Sequence, residues 1–136
     1  MSDQKPTKLI TYLLPKQKSK VYLVRYRDSP NPNRSGWWIP APTLNYGEHP
    51  DECAKRICQS LGFESCKPHF SGIDSFVTRD WHILFNYTAD VRGMPKLGPE
   101  YASGQWFELK DLPQAEEFAH GSWERNHVLR LAEVEA

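Results

Sequence analysis

The chain has 136 residues, with 17 basic and 17 acidic side chains and a formal net charge of zero. That length fits one domain, residues 1–136, with a core of its own, and 39% hydrophobic with 25% charged residues is the balance of a soluble globular protein. Balanced charge excludes a global field for nucleic acid or for an anionic membrane, so any anion site has to be local. No apolar run approaches the roughly 18 residues of a membrane span, and the N-terminal MSDQKPTK lacks the apolar core of a signal peptide. A cytoplasmic protein is therefore expected, and the three cysteines, Cys53, Cys58 and Cys66, are read as reduced core thiols.

In chain order, Lys8 to Leu14 and Lys20 to Arg27 are β-rich runs separated by a polar turn, Pro15 to Ser19, and read as neighbouring strands. In the second run Val21, Leu23 and Arg25 share one face, and Tyr22, Val24 and Tyr26 the other. Asp28 to Ser35 is a loop by its Pro, Asn and Ser content. Trp37, Trp38 and Ile39 then form a short strand stopped by Pro40 and Pro42, with the two tryptophans on opposite faces and one of them in the core.

The stretch from Gly47 to Phe63 organises the rest. Gly47 permits a turn with positive φ. Pro50 suits the first helical position, and Asp51 and Glu52 lie against the positive end of the helix. Cys53, Ala54, Ile57, Cys58 and Leu61 recur at three- and four-residue spacing and predict an inward face, and Gly62 ends the helix.

Beyond a connector over residues 63–68, His69 to Thr78 and Trp81 to Ala89 predict a second antiparallel pair. In the latter, His82, Leu84, Asn86 and Thr88 share one face. Residues 90–103 read as an exposed loop, Gln105 to Leu109 as a strand leading to Leu112-Pro113, and residues 122–134 as an amphipathic helix. Ser122 is its predicted cap, with Trp123, Val128, Leu131 and Val134 on its packed side.

Several of these features together resemble the Nudix hydrolases, enzymes that cleave nucleoside diphosphates linked to another group. The family signature is G-x5-E-x7-R-E-U-x-E-E-x-G-U, with U a bulky aliphatic residue. Trp37-Trp38-Ile39-Pro40 matches the lead-in, Gly47-Glu48 the turn, and Arg56 follows Glu48 at the required spacing. The late Gln105 to Pro113 segment is similar as well, so the resemblance runs from about Lys8 to the C-terminus. It implies an α/β/α sandwich with a mixed central sheet. The family's three helical glutamates do not match. Counted from Glu48 their positions hold Ile57, Ser60 and Leu61; counted back from Gly62 they hold Arg56, Gln59 and Ser60. Neither count supplies a carboxylate.

In the family those glutamates share one helix face and hold Mg²⁺, a hard cation that takes oxygen ligands, against the diphosphate. The resemblance therefore implies Mg²⁺ if the chain is active, with Glu48 and Glu100 as catalytic candidates and no metal ligand on the usual helix face. It implies a phosphorylated small-molecule ligand, with nucleotides among the candidates, and a homodimer. Neither nucleic acid nor membrane is implied as a partner. Arg25, Arg27, Trp37 and Arg56 become candidate substrate contacts. Each has an ordinary structural alternative: solvated or paired arginines, a buried tryptophan, and an Arg56–Glu48 pair. Two functions follow: a hydrolase with weak or absent classical activity, or a non-catalytic domain binding a phosphorylated ligand or a protein.

Overall fold

The computed structural model of the protein describes residues 7–27 and 36–133. Within them the apolar runs become β1 (Thr7–Gln17), β2 (Lys20–Tyr26), β3 (Ser65–Val77), β4 (Trp81–Arg92) and β5 (Tyr101–Glu108), with helices α1 (Pro50–Leu61) and α2 (Gly121–Ala132). The strands form one sheet in the order β3-β4-β1-β2-β5, in which β1 and β4 run parallel and the other neighbours antiparallel. Strand alternation sends Leu14, Val21, Leu23 and Leu84 to one face, where Val128 and Leu131 of α2 cover them. Leu13, Tyr22, Val24 and Tyr87 go to the other face, beneath Ala54, Ile57 and Leu61 of α1. The result is the mixed-sheet α/β/α sandwich that the sequence implied.

One break in the sheet positions everything near α1. β1 and β2 pair only at Lys16↔Val21 and Gln17↔Lys20, then splay apart. Residues 38–44 fill the gap. Trp38 exchanges both backbone bonds with Val24 (2.8 and 3.0 Å), Leu13 N donates to Pro40 O (3.0 Å), Thr11 N to Pro42 O (3.3 Å), and Leu44 N to Leu9 O (2.9 Å). Buried backbone groups need partners, and prolines fit here because positions 40 and 42 are asked only to accept. Pro15 lies on the side of β1 that carries the N–H groups of Thr11 and Leu13. It sits beyond the inserted loop, so its lack of an N–H costs nothing and β1 continues to Gln17.

Several boundaries differ from the sequence reading. β3 starts at Ser65 and β4 runs to Arg92, because Cys66↔Val91 and Pro68↔Ala89 extend the ladder through residues that look like connector. β5 starts at Tyr101, which shortens the expected 90–103 loop. The expected loop over 28–35 and Val134 lie outside the described residues. The reading of three reduced thiols is corrected: Cys58 of α1 and Cys66 of β3 form a disulfide (Cα–Cα 5.8 Å), leaving Cys53 as the buried free thiol. The chain reverses at Gly62, which has left-handed φ of 71°, and this brings the two sulfurs together.

The predicted cap of α2 is corrected, and its packed face keeps Val128 and Leu131 but not Trp123. His120, not Ser122, is the N-cap, and no side chain caps the helix. Trp123 is 40% exposed, and the inward positions are Glu124, His127, Val128 and Leu131. Two of those four are ionisable, so the stripe resembled a solvated face.

Glu124 is fully buried and accepts from Ile39 N (3.0 Å), His120 N (3.1 Å) and His120 Nδ1 (3.1 Å). It thus ties the start of the inserted loop to α2. His127 Nε2 donates to Asn86 Oδ1 (2.9 Å), and its Nδ1 accepts from Arg130 Nη2 (2.7 Å). Asn86 and Arg130 both donate to Asp74. His127 is therefore held neutral, with its pKa lowered from 6.5 to about 4 by burial first and the Arg130 charge second.

Two predictions follow from this packing. Glu124→Ala leaves two backbone N–H groups without their acceptor and should cost about 3 kcal/mol in urea unfolding, with Glu124→Gln costing less. For His127, the unfolded chain takes up a proton between pH 6.5 and about 4 while the folded chain does not. Stability from this residue is complete above that window and is lost as pH falls through it. The loss reaches about 3 kcal/mol at most. His127→Gln should flatten the dependence of the melting temperature on pH in that window.

Candidate functional site

The loop entering α1 is fixed by reciprocal bonds. Gly47 turns with φ of 80°, and Glu48 N donates to Asn45 O (2.9 Å). Glu48 Oε1 accepts from Asn45 N (3.0 Å) and Arg56 Nη2 (2.9 Å), and its Oε2 from Arg56 Nε (3.0 Å). Arg56 Nη2 also donates to Thr43 O (3.2 Å). A two-point guanidinium–carboxylate pair of this kind fixes orientation as well as charge. The Arg56 hydrogen bonds, with that from Asn45 N, hold the Glu48 pKa below its usual value.

The other acids nearby are also engaged. His49 is the N-cap: its Nδ1 accepts from Asp51 N (3.0 Å), and Glu52 Oε1 accepts from His49 N (3.3 Å), completing a capping box. Asp51 accepts a hydrogen bond from the Tyr87 hydroxyl. Burial first, and this acceptor second, raise the Tyr87 pKa. Glu48, Asp51 and Glu52 thus serve three different partners.

Burial decides between the two counts along α1. Ile57 and Leu61 are 1% and 0% exposed and belong to the core, while Arg56 and Ser60 are half-buried and Gln59 exposed. The open flank therefore carries Arg56, Gln59 and Ser60, at the i, i+3, i+4 spacing that puts side chains on one helix face. The exposed flank thus carries the residues of the count from Gly62, while the Arg56–Glu48 pair at the start of the helix is the one that the count from Glu48 asks for. Ser60 Oγ donates to Ile57 O (2.7 Å) and so accepts from the Tyr101 hydroxyl (2.7 Å). Residues 93–100 wrap the end of the helix through Lys96 N to Leu61 O (3.0 Å) and Gly98 N to Ser60 O (2.8 Å). Tyr101 was not singled out from the sequence, because its place depends on this wrap and no spacing announces it.

The remaining candidates divide between the two sides of the sheet. Arg27 holds the 99–101 segment, donating to Pro99 O (3.1 Å) and Tyr101 O (3.3 Å). Glu100 is exposed in that segment, folded back over Gly98. Both lie towards the Ser60 end of the open flank. Arg25 and Trp37 sit elsewhere. Trp37 belongs to the core layer under α2, is 8% exposed, and is capped by the Arg25 guanidinium 4.2 Å from its ring centroid. Their partner in that contact is each other, on the face opposite Arg56.

Mg²⁺ requires converging oxygen donors. The open flank offers a guanidinium, an amide and a hydroxyl, and the acids at the helix start are bound to other groups. Among the described residues no three His, Cys, Asp or Glu side chains gather as a ligand set. This donor set does not fit the ion.

A mixed sheet between two helices, with a Gly-Glu turn feeding a helix whose arginine returns to that glutamate, defines the scaffold as an α/β/α sandwich with a braced loop-helix unit. No family model matches the sequence, and no curated protein matches it either. Solved structures do. A NUDIX hydrolase from Nitrosomonas europaea superposes with a TM-score of 0.73 at 18% identity, over 97% of this chain and 73% of that one. The MutT protein from Methanosarcina mazei Go1 gives 0.71 at 21% identity, over 96% of each chain. An ADP-ribose pyrophosphatase from Streptococcus suis gives 0.63 at 15% identity, over 95% of this chain and 94% of that one. The chain has the Nudix fold.

Proposed function

We propose that this protein binds a phosphorylated small molecule, with nucleotides the first candidates, along the open flank of α1, and has weak or absent magnesium-dependent pyrophosphate hydrolysis. The carrying observation is the identity of the three flank residues, Arg56, Gln59 and Ser60, where the signature asks for carboxylates. Arg56 supplies a fixed positive charge, 40% exposed at its side chain, that an anionic oxygen can approach. Its pairing with Glu48 neutralises much of that charge, so the expected affinity is modest and the ligand has to gain the rest from neutral donors such as Gln59. Similarity to an ADP-ribose pyrophosphatase makes nucleoside diphosphates linked to sugars the sensible first probes.

A second reading, slow hydrolysis, is favoured by one observation. Glu100 is an exposed carboxylate beside the Tyr101–Ser60 end of the flank, where a base would be useful. The two readings are separated by one panel of nucleoside diphosphates and sugar nucleotides with Mg²⁺ or Mn²⁺. The expected outcome is a rise in melting temperature with at least one panel member and no turnover above background, with the rise reduced in Arg56→Ala. Turnover that Glu48→Gln or Glu100→Gln abolishes establishes the hydrolase instead.

A further inference from the structure

At the end of the sheet where β1 turns into β2, basic side chains line two adjoining clefts. Strand pairing gathers them there. Lys67 and Lys16 flank Asp90 in one cross-strand row, Lys20 lies opposite Glu108, and Arg92 opposite Ser65. Lys18 stands in the two-residue turn of the hairpin. The larger cleft has a volume of about 690 Å³ and the smaller about 500 Å³, and they share Asp90 and Arg92. Sites for small molecules run to roughly 300–1,000 Å³. None of Arg56, Gln59 and Ser60 lines either cleft.

Two features set this end of the molecule apart. The first is unpaired charge. Lys16 Nζ donates to Ala132 O (3.2 Å), but the side chains of Lys18, Lys20, Lys67 and Arg92 make no hydrogen bond or ion pair among the described residues. Lys20 and Lys67 each have an acid directly opposite and do not pair with it, and Glu108 accepts instead from Ser19 Oγ (2.7 Å). Five basic against three acidic side chains, Glu64, Asp90 and Glu108, leave a surplus of two positive charges here in a chain whose total is zero. The second feature is the backbone. Lys18 has φ of 57° and is the one non-glycine residue with positive φ among the described residues. A side chain in that conformation crowds the following carbonyl, and glycine is the ordinary occupant. The turn thus keeps a lysine where stability alone favours its absence, a pattern that belongs to functional sites.

We propose that these clefts form a second anion site, separate from the α1 flank, for a short oligophosphate. Each phosphate in a chain brings its own charge and several acceptor oxygens, so a few linked groups meet several lysines at once where a lone anion meets one or two. Arg92 adds a planar fork suited to two phosphate oxygens. No aromatic side chain lines either cleft, so a nucleobase finds nothing to stack on, and the three acids interrupt the continuous basic track that a nucleic-acid strand follows. A compact inorganic chain is the ligand that this mixture favours. The inference does not depend on the ligand reading above.

The test is titration of the isotope-labelled full chain with sodium tripolyphosphate, followed through its backbone amide resonances in low salt, where exposed charges are least screened. Saturable shifts are expected at Lys18, Ser19, Lys20, Lys67 and Arg92, and they should persist in Arg56→Ala. Lys20→Gln and Arg92→Gln should each raise the dissociation constant about threefold to fivefold, the worth of one exposed ion pair. Lys18→Gly should weaken binding by a similar factor while raising the melting temperature by a few degrees, opposite effects that a purely structural lysine does not give. An absence of saturable shifts at these amides overturns the inference, as do shifts confined to the surroundings of Arg56. Binding that all three lysine and arginine substitutions leave intact overturns it too, and so does a single-stranded oligonucleotide that occupies these residues at lower concentration than tripolyphosphate.

Discussion

The gap between β1 and β2 is the constraint from which the rest of the structure follows. Two strands that start as a hairpin and then diverge leave facing rows of backbone donors and acceptors, and these need partners. Residues 38–44 supply them, accepting at Pro40 and Pro42 where proline can still serve. Each end of the insertion is then held by a carboxylate: Glu124 at Ile39 N, and Glu48 at Asn45 N. Glu48 in turn holds Arg56. The direction in which α1 leaves the sheet, and so which of its faces is open, is set by this chain of contacts.

That dependence explains what could be read from the sequence. α1 spans Pro50 to Leu61 with Gly62 at its end, as its apolar spacing, proline and glycine indicated. The opposed faces of Trp37 and Trp38 and the alternation in β2 were equally legible, because side-chain period is a local property. The choice between two counts along α1 was not, since it turns on which residues the sheet buries. Ile57 and Leu61 answer it by lying in the core.

Long-range partners were the least legible. Glu124 and His127 carry no local signal of burial, yet one bonds a backbone 85 residues earlier and the other an asparagine 41 residues away. Cys58 and Cys66 meet only because the chain reverses between them and β3 starts four residues before its apolar run. Arg25 and Trp37 were grouped with Arg56 as ligand contacts by resemblance alone; strand parity sends the first two to the α2 side.

The protein thus combines a Nudix scaffold with a helix flank of different chemistry. Its glutamate–arginine brace is in place, while the next positions along the same face are neutral. The proposed consequence is binding without efficient metal-dependent cleavage. Titration with Mn²⁺, followed through the free-ion paramagnetic resonance signal, tests this most directly, with Gln59→Glu/Ser60→Glu as the comparison. The expected result is no saturable binding by the native chain at submillimolar ion and a gain of binding in the variant. Tight stoichiometric binding by the native chain that disappears in Glu48→Gln contradicts it.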